Sequence, residues 1–421
     1  MMPAWRVVFF IVIFLAISVS RPAPAADVTQ EQIDQCVNKG GSYSLDIQVD
    51  GCTAAIESGR WSGKGLAWAF YNRGSAYFVK GDNDRAIADR SEAIRLDPKM
   101  AIAYSNRCAA YLNKGDNDRA IVDCEKAIQL DPNLVLALVN RAGVWLNKAN
   151  YDRAIADSSE AIRLDPKSAV AYGDRAQAYL NKGDNDRAIA DSDEAIRLDL
   201  KNASAYTSRG FAYLKKGEID RTIADSNEAI RLDPKSSFAF FLRGVGYLNK
   251  GDYNRAIADS DEAVRLDSKS ALGYYGRGLA NLYAGSLPKA LADLTQATSL
   301  DPKSPQMAWW LDIASKRSGL SGQLAEASNR IDMTQWPAPI IRLFLGQLTP
   351  EAVLAAADDP DPATKKGRVC YANFYSGIRA LQQGVKAEAL RLFQVAAADC
   401  PRGLWEFSAA AAELKSLGAR P

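Results

Sequence analysis

The sequence predicts an all-α solenoid, a stacked array of helical hairpins, and three observations carry that prediction. A pattern of 34 residues repeats seven times without a gap from Ala67 to Ser304, a period typical of two-helix units that bury their apolar faces only by stacking. Small residues recur where two helices would touch. Glycine and an Asp-Pro pair recur where each helix would stop. The repeated text is plain: GDNDRAIADRSEAIRLDPK at 81–99 is followed by GDNDRAIVDCEKAIQLDPN at 115–133.

In chain order, residues 1–25 read as a signal peptide. Arg6 precedes an apolar run from Val7 to Val19, and Ala23-Pro24-Ala25 supplies small residues at a cleavage site. The run is short for a membrane span; an uncleaved N-terminal anchor is the alternative reading. No cysteine follows at once, the first being Cys36, which speaks against lipid attachment. The expectation is an exported, soluble protein in the periplasm of a Gram-negative bacterium. Residues 27–66 read as an incomplete starter segment, in which Gly51-Cys52-Thr53-Ala54-Ala55-Ile56 echoes the second-helix text.

Composition excludes several function classes. Removing residues 1–25 takes away Arg6 and Arg21 and no acid, which leaves equal numbers of basic and acidic residues. Such a balance gives no general attraction for nucleic acid or anionic lipid. The chain has no histidine, and so lacks the commonest general base and metal ligand. No catalytic, metal or cofactor residue is assigned.

Within 67–304, position 1 is Ala67. Position 8 is always small (Gly74, Cys108, Ala142, Ala176, Gly210, Gly244, Gly278), position 20 is alanine except at Thr222, and position 27 is alanine throughout, Ala93 to Ala297. These let paired helices approach closely. Aromatics at position 11, from Tyr77 to Tyr247, fill the space between hairpins. Glycine at position 15, as in Gly81 and Gly183, closes the first helix, and the polar residues after it cap the second. The second helix is expected to end at Leu96-Asp97-Pro98 and its equivalents because proline cannot continue a helix. Residues 305–369 keep helical composition but lose the pattern, with Asp312 and Leu324 at positions 8 and 20, and read as a degenerate unit and irregular joint. A clean unit returns at Cys370–Gly403, with Gly377, Ala389 and Ala396 at positions 8, 20 and 27. The Trp405–Leu417 helix would cap the face it leaves, so 370–421 reads as a final unit plus cap.

On small residues at 8, 20 and 27, an aromatic at 11 and proline at 32, this arrangement resembles the tetratricopeptide repeat (TPR) family. The resemblance implies a right-handed superhelix of about nine hairpins with a C-terminal capping helix, and a concave wall lined by positions 2, 5, 9, 12 and 13 of each first helix. The wall would then hold Trp68 and Tyr71 at one end, Phe238, Phe241, Leu272 and Tyr275 near the other, and asparagine at position 13 in Asn113, Asn147, Asn181 and Asn249. An asparagine can donate to a carbonyl and accept from an N–H, which suits an extended peptide. The alternative is that these asparagines only terminate the first helix beside Lys114 or Lys182. The aromatics are either binding anchors or are covered by neighbouring helices. Chaperone-carboxylate clamping is excluded, since positions 5 and 9 hold Tyr71, Ser75, Ser105, Ala109, Val139, Gly143, Gly173 and Gln177 rather than Lys or Arg.

Three other patterns compete for a chemical reading. Arginine at position 7 (Arg73 to Arg277) and aspartate at position 23 (Asp89 to Asp293) recur in all seven units. Phosphate binding by the arginines is one reading; a ladder of exposed interhelical ion pairs, worth about 0–1 kcal/mol each, is the structural one. Asp82-Asn83-Asp84 resembles half a calcium loop but lacks its glycine and terminal glutamate, and its place suits capping. Six cysteines in an exported chain suggest disulfides. They fall as Cys36 with Cys52, Cys108 with Cys124 and Cys370 with Cys400, each bridge stabilising by roughly 3 kcal/mol.

The closing third loosely resembles exported repeat adaptors of the new-lipoprotein-I type, on Trp336-Pro337-Ala338-Pro339, Leu345-Gly346, Phe374-Tyr375-Ser376-Gly377 and Ala412-Glu413-Leu414. That resemblance implies peptidoglycan-modifying enzymes or proteases as partners. The functional expectation is a periplasmic, non-enzymatic adaptor or scaffold that binds protein segments in an open groove and helps assemble or regulate envelope complexes. The alternatives are a self-assembling structural component of undefined oligomeric state, or an accessory envelope hydrolase working through paired carboxylates.

Overall fold

The structure, a computed structural model, describes residues 27–420; the expected signal peptide at 1–25 lies outside the described residues. Among these the regular structure is helical throughout, with 23 α-helices, one short 3-10 turn at Gly63–Leu66 and no strand. No described helix is long and apolar enough to cross a membrane. The chain divides into two compact units between Asn140 and Arg141. The first holds α1 (Gln30–Val37), α2 (Leu45–Glu57), α3 (Ala67–Val79), α4 (Asn83–Leu96), α5 (Ala101–Asn113) and α6 (Asn117–Leu130); the division falls inside α7 (Val135–Asn147). The second holds α8 (Tyr151–Leu164), α9 (Ala169–Asn181), α10 (Asn185–Leu198), α11 (Ala203–Lys216), α12 (Ile219–Leu232), α13 (Ser237–Asn249), α14 (Tyr253–Leu266), α15 (Ala271–Tyr283) and α16 (Leu287–Leu300). It continues with α17 (Pro305–Arg317), three short helices, α18 (Leu324–Ser328), α19 (Ala338–Phe344) and α20 (Pro350–Ala355), and then α21 (Pro362–Gln382), α22 (Lys386–Asp399) and α23 (Trp405–Ser416).

Local chemistry repeats with the sequence. Asp82, Asp116, Asp184 and Asp252 each accept from the backbone N–H three residues on and start the second helix. Position 15 has positive φ in every unit, and in the third it is Ala149 that adopts it, at a cost a glycine would avoid. The end of the second helix departs from the proline expectation. Position 32 is Leu200 and Ser268 in two units, yet α10 and α14 stop at the same place as the others. The constant residue is the aspartate before it. Asp97, Asp165, Asp199 and Asp267 each accept from the backbone N–H two residues on, an Asx turn that competes with the helix.

The small residues do what the pattern requires: Ala86, Ala93, Ala120, Ala127, Ala188 and Ala195 are fully buried. The arginine–aspartate ladder also forms. Arg73–Asp89, Arg107–Asp123, Arg141–Asp157, Arg175–Asp191, Arg209–Asp225, Arg243–Asp259 and Arg277–Asp293 pair through Nε and Nη2, at 2.6–3.1 Å. These pairs are not exposed, because every aspartate is buried, so removing one partner is costly. The third nitrogen, Nη1, reaches the preceding hairpin, as Arg107 to Ser91, Arg209 to Asp193 and Arg277 to Asp261. The arginines therefore stitch hairpins together and are not presented to a phosphate. Asp84 is likewise committed, to Lys114 of the next unit.

Cys36–Cys52, Cys108–Cys124 and Cys370–Cys400 are disulfide-bonded, with Cα–Cα distances of 4.4, 5.5 and 4.9 Å. The 34-residue register runs one helix further than its sequence pattern, into α17. Trp309 and Trp310, at positions 5 and 6, are fully buried there with Phe374, Tyr375 and Phe393 from α21 and α22. This aromatic core is where the hairpin of α21 and α22 folds onto the array of the second unit.

Candidate functional site

The residues expected to line a binding wall have three different fates. In the first unit, Trp68 packs edge-on against Trp61 at 5.3 Å and joins the core of the starter segment. Tyr71 accepts a hydrogen bond from Asn106 Nδ2 at 3.0 Å. These two serve the packing between hairpins. Asn113 ends α5 and is exposed.

In the second unit, Asn147 and Asn181 end α7 and α9 and face solvent. Asn181 Nδ2 donates to the Gln177 carbonyl at 2.8 Å, four residues back, which leaves its side-chain oxygen uncommitted by that bond. Beyond them lies an aromatic group in which Phe238 meets Phe211 at 6.0 Å and Phe241 at 5.8 Å. Phe238 is 40% exposed, and Val170 and Leu272 at the same repeat position are 57% and 43% exposed. Ser204 interrupts that position between Val170 and Phe238, so the contiguous apolar group is the one around Phe238, of the kind found at interaction surfaces.

Asn249 and Tyr275 do not line an open groove. The chain's own C-terminal segment lies over them, contrary to the expectation that the wall stays free. Arg402 and Gly403 cross the end of α11 so closely that a Cβ on Gly217 would collide with Arg402, and one on Gly403 with the Lys215 carbonyl. Gly217 also has φ +77, so glycine is required there twice over. Helix α23 then follows the position-13 row. Ser408 Oγ donates to Asn249 Oδ1 at 3.2 Å, Tyr283 Oη donates to Glu413 Oε1 at 3.0 Å, and Arg317 pairs with the same carboxylate. Trp405 stacks edge-on against Tyr283 at 5.3 Å.

The electrostatics of this contact are unusual for a repeat surface. Glu406 and Glu413 are 5% and 3% exposed. Tyr375 Oη donates to Glu406 at 2.7 Å. Burial pushes the Glu406 carboxyl up to about 7, against the opposing pull of that hydrogen bond and of Lys215. Tyr275 and Tyr283 are held well above the ordinary phenol value, first by burial and then by the carboxylates of Glu406 and Glu413 respectively. No group of three or more His, Cys, Asp or Glu side chains is placed to hold a metal among the described residues.

Family models described as tetratricopeptide repeat match residues 101–134, 159–190, 203–236 and 241–306, and one described as TPR repeat matches 74–115 and 176–217. The chain belongs to the tetratricopeptide repeat family. Solved structures are similar to this chain to different extents. A chain of the APC/C hetero-tetramer Cut9–Hcn1 superposes with a TM-score of 0.57 at 15% identity, over 67% of this chain and 55% of that one. A tetratricopeptide repeat protein from Parabacteroides merdae ATCC 43184 gives 0.46 at 19% identity, over 59% of this chain and 98% of that one. PilW, a type IV pilus biogenesis factor, gives 0.45 at 17% identity, over 49% and 96%. No curated protein matches the chain. TPR proteins are in general protein-interaction scaffolds, and the fold is typically non-catalytic.

Sequence reasoning missed the TPR chain's return onto its own wall. One signal was available. Position 13 departs from asparagine at Val79, Lys215 and Tyr283, and the last two are places where the tail docks. The matching run in α23 places four alanines, Ala409–Ala412, between Glu406 and Glu413, more small residues than a solvent-facing cap needs.

Proposed function

We propose that this TPR protein is an exported, periplasmic, non-enzymatic adaptor that binds protein segments on the first-helix face and helps assemble or regulate cell-envelope complexes. The observation that carries the reading is the wall itself: it already holds a polypeptide, α23, along position 13 of the second unit. The exposed position-13 ends at Asn147 and Asn181, with the exposed apolar residues Val170 and Phe238 at the opposite ends of the first helices, offer this face to another chain. Three disulfides support an oxidising compartment. The envelope role, with peptidoglycan-modifying enzymes or proteases as partners, rests on the likeness of the closing third to new-lipoprotein-I-type adaptors.

The test is affinity capture from envelope extracts by the wild-type chain and by Asn147→Ala/Asn181→Ala. Specific partners retained by the first and weakened about ten-fold by the second support the reading. Identical capture by both removes these rows from the binding face.

A further inference from the structure

We propose that α23 is a built-in competitor, occupying a slot that takes an acidic amphipathic helix from a partner, with two carboxylates seven residues apart and small residues between them. This deepens the adaptor reading and rests on it.

The slot is defined by what α23 presents to it. Glu406 and Glu413 are two turns apart on one helix face, and both are buried. Each finds donors on the wall or on α21: Tyr375 for Glu406, and Tyr283 with Arg317 for Glu413. Lys215 adds a positive charge acting on Glu406. Between the acids, Ala409 and Ala410 are fully buried, so small side chains let the helix lie close to its bed. The wall and α21 together thus carry hydroxyl donors at both acids and a hydrogen-bonded cation at Glu413, a complementarity that repeat packing alone does not require. The other residues at position 13 of the second unit, Asn147 and Asn181, carry no such charge.

The fit is also incomplete. A cleft of about 760 Å³ remains between α23 and the array, lined by Asn249, Tyr253, Tyr283, Arg317, Phe407 and Ser408. On the array side this helix is held by Glu413, Ser408 and Trp405 and by the glycine crossing at Gly217 and Gly403, while its other face packs on α22 and α21. A partner helix with the same acid spacing and larger side chains toward the gap would gain contacts that α23 lacks. Exchange is then governed by the tail's own docking, as in any intramolecular competition.

The Gly403 crossing gives a clean handle. Gly403 has no positive φ, so Gly403→Ala is tolerated by its own backbone and displaces the tail only through collision with the Lys215 carbonyl. The probe is a fluorescein-labelled synthetic peptide of residues 404–418, titrated into the full chain and read by anisotropy, with helix content checked by circular dichroism. Gly403→Ala should bind it about ten-fold more tightly than wild type, and the peptide carrying Glu413→Gln should lose about ten-fold. Equal affinity for both peptides, or no binding to Gly403→Ala, overturns the proposal. Should Gly403→Ala fail to fold, the wild-type chain decides. Excess isotopically labelled peptide should raise amide exchange across Trp405–Ser416 of the chain by about ten-fold, and unchanged exchange overturns the proposal. Either failure leaves the Asn147 and Asn181 rows standing, since their test uses other residues.

Discussion

The first helices α9 and α13 occupy equivalent places in the same repeat, each ending on asparagine, yet their surroundings differ. Asn181 faces solvent; Asn249 bonds to Ser408 of the chain's own C-terminal helix. The helices, the buried alanines and the arginine–aspartate ladder are the same in both places. Lys215 neighbours both; what differs is the position-13 side chains beyond Asn249, Tyr283 and Arg317, whose hydroxyl and charge answer Glu413 of α23. A repeat scaffold therefore supplies a uniform bed, and a few substitutions along one row decide which part of it the chain keeps for itself.

The comparison breaks most sharply at Arg317. Replacing it by alanine leaves Glu413 buried beside Tyr283 alone, and the cost should be about 3–5 kcal/mol in denaturant unfolding of the second unit. A loss below about 1 kcal/mol would show that Glu413 is not held as described. Reducing Cys370–Cys400, which links residues 30 apart, should cost about 3 kcal/mol and loosen α23 through the hairpin that carries it.

A pH series sharpens the contrast. The Glu406 carboxyl lies at about 7 in the folded chain against 4.5 for the ordinary group. Below about 4.5 it is protonated in both states, so its effect on stability is fully neutral there. As pH rises from about 4.5 to about 7, the unfolded chain loses a proton that the folded chain retains, so stability falls by up to about 3 kcal/mol and then levels off. Glu406→Gln should flatten that segment of the curve and be more stable than wild type at pH 8. A wild-type profile already flat from 4.5 to 7 would contradict it.

Smaller effects come from the glycines. Gly183 and Gly217 both have positive φ, but a Cβ meets nothing near Gly183 and collides with Arg402 at Gly217. Gly183→Ala should cost about 1 kcal/mol from backbone strain alone, and Gly217→Ala distinctly more, with increased exchange in α23. Asn181→Ala, at the bottom of the scale, should change stability by less than about 0.5 kcal/mol.

The array was legible in the sequence because each structural role recurs every 34 residues. Gly74, Ala86 and Ala93 announce close packing; Gly81 and Asp82 announce a turn and a cap. Two roles were misassigned. Helix ends were credited to Pro98 and its equivalents, whereas Leu200 and Ser268 show that the preceding aspartate suffices. Spacing pairs Arg209 with Asp225 but does not report that Asp225 is buried, or that Arg209 also reaches Asp193 of the neighbouring hairpin. The covered wall left only a faint trace, the departures from asparagine at Lys215 and Tyr283. It arises from contacts between residues more than a hundred apart, such as Tyr283 with Glu413, and a period detects only neighbours. Trp68 and Tyr71 take packing contacts for a related reason: an aromatic at a wall position is equally suited to pack against a neighbouring segment.

The most direct measurement of the self-covered wall is a disulfide trap. All described cysteines are already bonded, so an added pair reports on itself. In the full chain, Asn249→Cys/Ser408→Cys should oxidise spontaneously to an intramolecular bridge found by mass spectrometry, and Asn181→Cys/Ser408→Cys should not. A free thiol pair at 249 and 408, or equal bridging at 181, would contradict the account.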